Sequence, residues 1–192
     1  MNNSFFALIF RQKYIKRWGL MRNSTDESLA EHASETAILT HALATLGNKY
    51  FGKSYDIERA VTLAVFHDTC EVYTGDLPTP IKYFSEEMRE NYKAIEKNAA
   101  NVLLSHLPEE LRPDYRALLE GDEDPLYRLV KAADKLAALV KCIEEEKSGN
   151  TEFTAAKVST LASIESMHME EADYFIREFL PAFTLTLDEM QS

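Results

Sequence analysis

Hydrophobic residues recur at three- and four-residue steps along almost the whole chain, the spacing that places them on one face of an α-helix. The segment SLAEHASETAILTHALATLG begins with Ser28 and Glu31, spaced as in a capping box, and closes on Gly47. We therefore predict a helix over residues 28–47. A second helix is predicted over residues 56–72, DIERAVTLAVFHDTCEV, with Asp56 as its N-cap.

The middle of the chain continues the helical period. After Ser85, one apolar stripe is predicted to form the buried face of a third helix: Met88, Tyr92, Ile95, Ala99, Val102 and Leu103. Pro108 suits the first position of a short helix that ends near Gly121, since proline lacks the N–H that such a position leaves unpaired.

The clearest stripe lies in the last third of the sequence. Asp124 and Pro125 have the pattern of an N-cap and a first helical residue, and Gly149 ends the helix they begin. Its apolar positions are Leu126, Leu129, Val130, Ala133, Leu136, Ala137 and Val140. A further helix is predicted from about Thr151 to Phe179, stopping before Pro181. No segment shows convincing strand alternation, so the predicted fold class is all-α.

Composition narrows the kind of protein. The 192 residues suit one domain spanning 1–192, and the low counts of six Gly and six Pro suit long helices. A net charge of -11 argues against nucleic-acid polymers as partners, because their affinity comes mainly from basic side chains. No apolar run approaches the roughly 18 residues of a membrane helix. The only cysteines, Cys70 and Cys142, form no C-x-x-C pair, which favours a reduced cytoplasmic location.

The first candidate for chemistry is the doublet His67–Asp68, which follows the apolar residues LAVF near the end of the second predicted helix. A charged aspartate at the edge of the core is costly unless something pairs with it, and a metal ion is one such partner. The alternative is a neutral core histidine beside a surface aspartate, and the doublet alone does not decide between them.

His32 and Asp134 extend this candidate set. His32 follows Glu31 early in the first predicted helix, although a first-turn residue can also point to solvent. Asp134 interrupts the clearest stripe, where aspartate is a poor helix former, although it could simply balance Lys131 and Lys135. The remaining histidines are interpreted as surface residues: His41, His106 and His168.

Two imidazoles and two carboxylates on different helices can converge in a bundle core, where metal sites are built from facing helices. This set of ligands suits one divalent ion, Mn, Fe, Co, Ni, Zn or Mg, with positions left for water.

The pattern H…HD…D resembles the HD-domain metal-dependent phosphohydrolases, and more narrowly the bacterial deoxyribonucleoside 5′-monophosphatase family. Segments resembling that family occur in order along nearly the whole chain: KRWGLMRN, EHASETA, FHDTCEVYTGDLPTPIKYF, YKAIEKNA, LPEELR, LVKAADKLAALVKCIEE and DYFIREFLPAFTLTLDE. The segment RPDYRALLEGDEDP, residues 112–125, matches weakly, and no function is carried over to it.

The resemblance implies an all-α bundle of about six or more helices, a homodimer, and hydrolysis of deoxynucleoside 5′-monophosphates with one divalent metal ion. It implies that the metal ligands are His32, His67, Asp68 and Asp134. Glu71 resembles the catalytic carboxylate near the attacking water, and Asp76 the residue that accepts a hydrogen bond from the sugar 3′-hydroxyl. Leu77, Pro78 and Thr79 would line the same corner and exclude a 2′-hydroxyl.

The same resemblance also implies which residues bind the phosphate end of the substrate. Arg17 is similar to the residue that orients the phosphate for catalysis, and Trp18 to its neighbour in the substrate site. Each has a simpler interpretation, since Arg17 could be a solvated basic residue and Trp18 a core anchor. Two other functions stay open from the sequence: an HD phosphohydrolase for another nucleotide, and a non-catalytic metal-binding regulatory module.

Overall fold

A computed structural model describes residues 3–82, 84–121 and 124–191, except for the side chains at 79 and 80. Its helices are α1 (Phe5–Ile9), α2 (Leu29–Tyr50), α3 (Ile57–Phe66), α4 (Glu71–Thr74), α5 (Thr79–Lys82), α6 (Glu86–Ser105), α7 (Arg112–Leu119), α8 (Tyr127–Lys147), α9 (Thr154–Glu165), α10 (Glu170–Glu178) and α11 (Leu187–Met190). Short 3₁₀ helices cover Phe10–Tyr14, Glu109–Leu111, Thr151–Phe153 and Leu180–Thr184. No strand occurs in these ranges, so the predicted all-α class is confirmed.

Helix α2 begins as predicted but does not end at Gly47. Ser28 and Glu31 form the complete capping box, because each side chain accepts from the other's backbone N–H. Gly47 lies inside the helix, where an added Cβ would come within 2.6 Å of the Tyr55 ring. The glycine therefore allows a close approach of Tyr55, and the left-handed turn after the helix is made by Gly52 at φ 64°.

The predicted helix over 56–72 is divided in two. Asp56 caps α3 by accepting from the Arg59 N–H at 3.0 Å, but α3 ends at Phe66 and α4 starts only at Glu71. Turn hydrogen bonds, including Thr69 N to Phe66 O at 3.1 Å, replace the helical ladder between them. The break places His67 and Asp68 in a turn, outside the regular helix.

Helix α8 follows its predicted stripe closely. The six stripe positions from Leu129 onward are buried: Leu129, Val130, Ala133, Leu136, Ala137 and Val140. The predicted N-cap is wrong, since Leu126 holds that position and the Asp124 carboxylate accepts from the Leu126 N–H at 2.9 Å in the preceding turn. Gly149, at φ 83°, lies just beyond the helix end as predicted.

Helix α6 buries a narrower face than predicted. Tyr92, Ala99, Ala100, Leu103 and Leu104 are its buried residues, whereas three members of the predicted stripe are exposed: Met88, Ile95 and Val102. The reason is that α6 lies at the edge of the bundle, where α4 and α7 pack only part of its circumference.

Two predictions, one on each side of α8 in the sequence, differ from the structure: the position of Pro108 in a helix and the single helix from Thr151 to Phe179. Pro108 precedes the 3₁₀ helix Glu109–Leu111 as its N-cap, and Pro113 is the proline in the first turn of α7. The helix predicted from Thr151 to Phe179 is two helices, α9 and α10, separated at His168 by a positive φ of 49°. Met169, which follows this turn, is buried in the main core.

The core lies where α2 and α8 pack against each other, with α3 on both and with α9 and α10 closing the same group of side chains. Its largest buried members are Leu39, Leu43, Leu46, Leu129, Leu136, Leu139, Ile143, Ile164 and Phe175. A second cluster joins α1, the last turns of α6 and the turn that follows α6. Its large members are Phe5, Leu103, Leu104 and Leu107. Among the described residues, no helix has both the length and the hydropathy required to cross a membrane.

The central packing gives a stability prediction. Leu136 is fully buried on α8, so Leu136→Ala is expected to lower the free energy of unfolding by about 2–5 kcal/mol through lost transfer energy and a residual cavity. Leu187→Ala, at an exposed leucine on α11, is the matched control, with an expected change within about 0.5 kcal/mol. Urea denaturation measures both, and equal losses in the two variants would contradict the assigned core.

Candidate metal centre and active site

The four predicted metal ligands come together in space. His32 lies in the first turns of α2, His67 and Asp68 in the turn after α3, and Asp134 in the middle of α8. One nitrogen or oxygen of each lies within 4.8 Å of the others. His32 Nε2 is 3.1 Å from Asp134 Oδ1 and 3.8 Å from Asp68 Oδ2. His67 Nε2 is 3.0 Å from that same Asp68 oxygen.

The groups on the far sides of the two imidazole rings indicate which ring nitrogens face the cluster. His67 Nδ1 lies 2.7 Å from the Ala64 carbonyl oxygen, which can only accept, so Nδ1 carries the proton. Its Nε2 is buried, and its contact with Asp68 Oδ2 at 3.0 Å is not aligned as a hydrogen bond, so this nitrogen has no hydrogen-bond partner among the described residues. His32 Nδ1 likewise faces a carboxylate, Glu27 Oε1, at 3.3 Å. Two ring lone pairs and two carboxylates therefore converge on one point, and this set of donors fits a divalent cation.

The charges of the cluster are strongly coupled. Burial and the Arg17 charge both act to lower the pKa of His32, but the carboxylates of Asp134 and Glu27 outweigh them and raise it to about 9. Burial opposes ionisation of Asp68 and Asp134, yet His67 and His32 respectively hold both pKa values below the usual range. The protein alone thus needs positive charge between these carboxylates, supplied by protonated imidazole or by a metal ion.

Glu71 is buried in the first turn of α4, and its Oε2 has no hydrogen-bond partner among the residues that the structure describes. Burial, together with the negative charges of Asp68 and Asp76, raises the pKa of Glu71 to about 9, while Arg17 and Lys82 act in the opposite direction. A divalent cation beside Asp68 would lower this pKa, because it reverses the sign of the local charge.

Arg17 and Asp76, far apart in sequence, meet beside this cluster. Arg17 Nη1 lies 3.7 Å from Asp68 Oδ2 and 3.9 Å from Asp76 Oδ1, and the arginine side chain is largely buried. The Trp18 backbone N–H donates to Asp76 Oδ2 at 3.2 Å. Trp18 itself has a positive φ of 59°, an uncommon conformation for a large residue that clusters at functional sites.

The three predicted site residues after Asp76 lead from the cluster into α5. Leu77 and Pro78 are partly buried and lead into α5. Thr79 opens α5, and its side chain lies outside the described part of the structure. The contacts described above therefore bring seven predicted residues into one neighbourhood, and Glu71 lies beside them by charge coupling. The seven are Arg17, Trp18, His32, His67, Asp68, Asp76 and Asp134.

Comparison with known proteins identifies the family of this chain. The model of the YfbR-like 5′-deoxynucleotidase family matches residues 4–183. The chain belongs to this family. A 5′-deoxynucleotidase of Vibrio cholerae is 47% identical over 188 residues, covering 97% of each chain. Membership confirms the predicted family and its activity, 5′-deoxynucleotidase, which is hydrolysis of a phosphoric monoester.

Solved structures show the same fold. An HD-domain phosphohydrolase of Listeria innocua has a TM-score of 0.82 at 24% identity, covering 98% of this chain and 92% of that one. The cyanophage S-2L HD phosphohydrolase, solved with dA and one catalytic Zn²⁺ ion, has a TM-score of 0.65 at 17% identity, covering 91% and 95%. The predicted HD-domain bundle is therefore confirmed as the fold of this family member.

The simpler interpretations of single residues can now be compared with the geometry. Lys131 does lie near Asp134, with its Nζ 3.9 Å from Oδ2, but His32 lies closer to the other oxygen of that carboxylate. Arg17 is not a solvated residue, because its side chain is largely buried among carboxylates. Trp18 does contact a core residue, since its ring lies edge-on to Phe153 at 5.2 Å, so it is both an anchor and a neighbour of Asp76.

One residue of this family member was missed by the sequence analysis. Glu27 is buried between Arg17, Trp18 and His32, although it lies in the loop before α2. It belongs to no helical stripe, so periodicity gave no signal for it. The only available signal was its position five residues before a histidine proposed to bind metal.

Proposed function

We propose that this chain hydrolyses deoxyribonucleoside 5′-monophosphates to deoxynucleoside and phosphate, using one divalent cation held by His32, His67, Asp68 and Asp134. The main support is the convergence of two imidazole lone pairs and two carboxylates beside a buried arginine. A bound divalent cation would supply Lewis-acid chemistry, polarising a phosphoryl oxygen and making hydroxide available from water at neutral pH. The donor set suits Co, Mn, Zn, Mg, Fe or Ni, and the Zn²⁺ of the cyanophage relative supports zinc among them.

Arg17 binds and orients the phosphate in this proposal. Its guanidinium approaches Asp68 and Asp76 only at 3.7 and 3.9 Å, longer than hydrogen bonds, so its N–H groups are available to phosphate oxygens. An arginine fork can hold two such oxygens at once and stabilises the negative charge that grows on them in the transition state.

Glu71 acts as the catalytic carboxylate. Its buried, unpartnered oxygen is the kind of acceptor that can orient a water molecule and take a proton from it. Glu71 is the first residue of α4, four residues after His67, and the charges of Asp68 and Asp76 act on its carboxylate. This supports a place beside the metal ligands without being one of them.

Asp76 recognises the sugar by accepting a hydrogen bond from the 3′-hydroxyl. The Trp18 backbone N–H holds one carboxylate oxygen at 3.2 Å, which leaves the other oriented toward the side of Arg17. Leu77, Pro78 and Thr79 form the corner that excludes a 2′-hydroxyl, and proline limits the freedom of that backbone.

The sugar-recognition role of Asp76 provides an experiment that tests the proposed function. Wild-type protein loaded in turn with Co, Mn, Mg and Zn is expected to release phosphate from dAMP in preference to AMP. Asp76→Asn keeps an oxygen that can accept from Trp18 but loses the charge. We expect it to lower kcat/KM for dAMP about 10- to 100-fold, the effect of one hydrogen bond to a charged group, and to reduce the dAMP-to-AMP ratio.

Asp114→Asn is the matched control, since Asp114 is exposed on α7 and takes part in none of the contacts described for the site. Phosphate release by the wild type that ignores the sugar would contradict the role of Asp76. No release from any 5′-monophosphate with any of the four metals would contradict the function itself.

The proposal also covers the setting of the enzyme. The substrate is a small molecule and not a nucleic-acid polymer, in keeping with the net charge of -11. A cytoplasmic location is supported by the two cysteines, Cys70 and Cys142, which are free and buried. A homodimer is supported by the resemblance and by an apolar groove between α2 and α3 whose residue Ile38 is 67% exposed.

A further inference from the structure

We propose that Glu27 is a positioning residue that couples the metal ligand His32 to the phosphate-binding residue Arg17. This inference rests on the proposed function, because it takes its two partners' roles from it. Glu27 contacts neither substrate nor metal in this assignment, and it acts only by holding the two residues that do.

The contacts of its carboxylate carry the inference. Glu27 Oε1 lies 3.3 Å from Arg17 Nε and 3.3 Å from His32 Nδ1, within ion-pair distance of both, although neither contact has the alignment of a hydrogen bond. Glu27 Oε2 accepts from the Trp18 indole N–H at 2.6 Å. The Glu27 carbonyl also accepts from the Arg17 backbone N–H at 3.0 Å. A single buried glutamate therefore contacts three residues of the proposed site.

Glu27 lies on the opposite side of the His32 ring from the metal cluster. It faces Nδ1, whereas Asp134 faces Nε2, and these two ring nitrogens point in different directions. Glu27 is therefore not a fifth ligand. A negative charge beside Nδ1 favours the tautomer that carries its proton there, which leaves the Nε2 lone pair free and makes that nitrogen more basic.

The same carboxylate allows Arg17 to be buried with its charge. A buried guanidinium without an acidic partner is costly, so loss of the Glu27 charge would favour movement of Arg17 toward solvent or toward Asp68. Either movement would spoil its alignment with a phosphate. Glu27 thus bears on metal binding and on phosphate binding at once.

Hydrogen bonds connect the loop before Glu27 to α8, the helix that carries Asp134. Glu145, buried on α8, accepts from the Ser24 N–H at 2.9 Å and the Thr25 N–H at 3.3 Å. Lys141, also on α8, donates to the Thr25 carbonyl at 2.6 Å. These bonds hold the loop at a fixed distance from the cluster, which is the rigid support that a positioning residue requires.

Glu27→Gln tests the inference, with Asp26→Asn as the matched control that removes one charge at an exposed neighbour in the same loop. Titration of metal-free protein with Co²⁺, followed by the visible absorption of the ion, gives the metal Kd. Calorimetric titration of the Co²⁺-saturated protein with inorganic phosphate gives the phosphate Kd.

We expect Glu27→Gln to weaken Co²⁺ binding about 10- to 100-fold, as for other partners of metal-binding histidines. We also expect it to weaken phosphate binding about tenfold, the effect of one lost interaction with a charged group. Asp26→Asn should stay within about twofold of wild type in both. Should Glu27→Gln fail to fold, Glu27→Asp keeps the charge on a shorter side chain and must show both losses in smaller measure.

Wild-type Kd values in the folded Gln variant, or in the Asp variant if that one is used, would overturn the inference. Loss of only one affinity would overturn the coupling. Neither titration uses turnover, so an absence of nucleotidase activity in the wild type would contradict the proposed function while the Co²⁺ result for Glu27 still stands.

Discussion

Glu71→Gln is expected to lower kcat about 10²- to 10⁴-fold while the protein still binds one metal ion per chain, because general acid–base catalysis contributes about that much. Glutamine keeps the size and can still form hydrogen bonds in the buried pocket, so the fold should be little affected. It cannot take a proton, however. The loss should therefore appear in kcat and not in metal content.

The measurement combines steady-state kinetics on dAMP with elemental analysis of the purified protein. Glu86→Gln is a matched control, because Glu86 also lies in the first turn of a helix but is exposed on α6. If Glu71→Gln lost its metal, Glu71 would be a ligand and the division of roles given above would be wrong.

Asp134→Asn is expected to have the largest effect on metal binding. Asp134 contacts His32 at 3.1 Å and has a pKa held well below its usual range by its hydrogen bond with His32 and the charge of Lys131, although burial opposes this. Asparagine removes one of two negative charges that would neutralise a divalent cation. We expect metal content to fall well below one ion per chain and kcat/KM to fall by about 10³-fold or more, the scale of several kcal/mol of transition-state stabilisation.

Glu144→Gln, an exposed acid on the same helix, makes the same change in net charge and should keep both metal and activity. A chelator should abolish turnover by the wild type, and added divalent ion should restore it. Turnover that is indifferent to the chelator, or full metal content in Asp134→Asn, would contradict the proposed metal site.

The variants Glu71→Gln and Asp134→Asn distinguish a residue that acts in the chemical step from one that binds the metal ion. Glu71 and Asp134 are both buried acids near Asp68. With a divalent cation bound, which would lower the pKa of Glu71, amidation removes a negative charge from each of them. Their surroundings differ, since Asp134 lies against an imidazole whereas one Glu71 oxygen has no hydrogen-bond partner in the described part of the chain. Opposite outcomes for metal content would thus be a consequence of geometry and not of charge alone.

The sequence by itself determined the helical class, the start of α2 and the buried stripe of α8, because capping residues and a 3.6-residue period are local signals. It also held the family resemblance, through short motifs such as RW and TGDLPTP. The helix breaks at His67 and His168 were missed for the opposite reason. Local propensity is continuous across both, and contacts with other helices decide where the chain turns.

Only the tertiary structure decided which face of a helix is covered and which loop residue joins the site. Periodicity could not distinguish the exposed Ile95 from the buried Ala99, since which face of α6 is covered depends on α4 and α7. Nor could it select Glu27, a loop residue whose importance comes from three neighbours at positions 17, 18 and 32. A charge is worth most where water is excluded, and that exclusion exists only after distant segments have packed together.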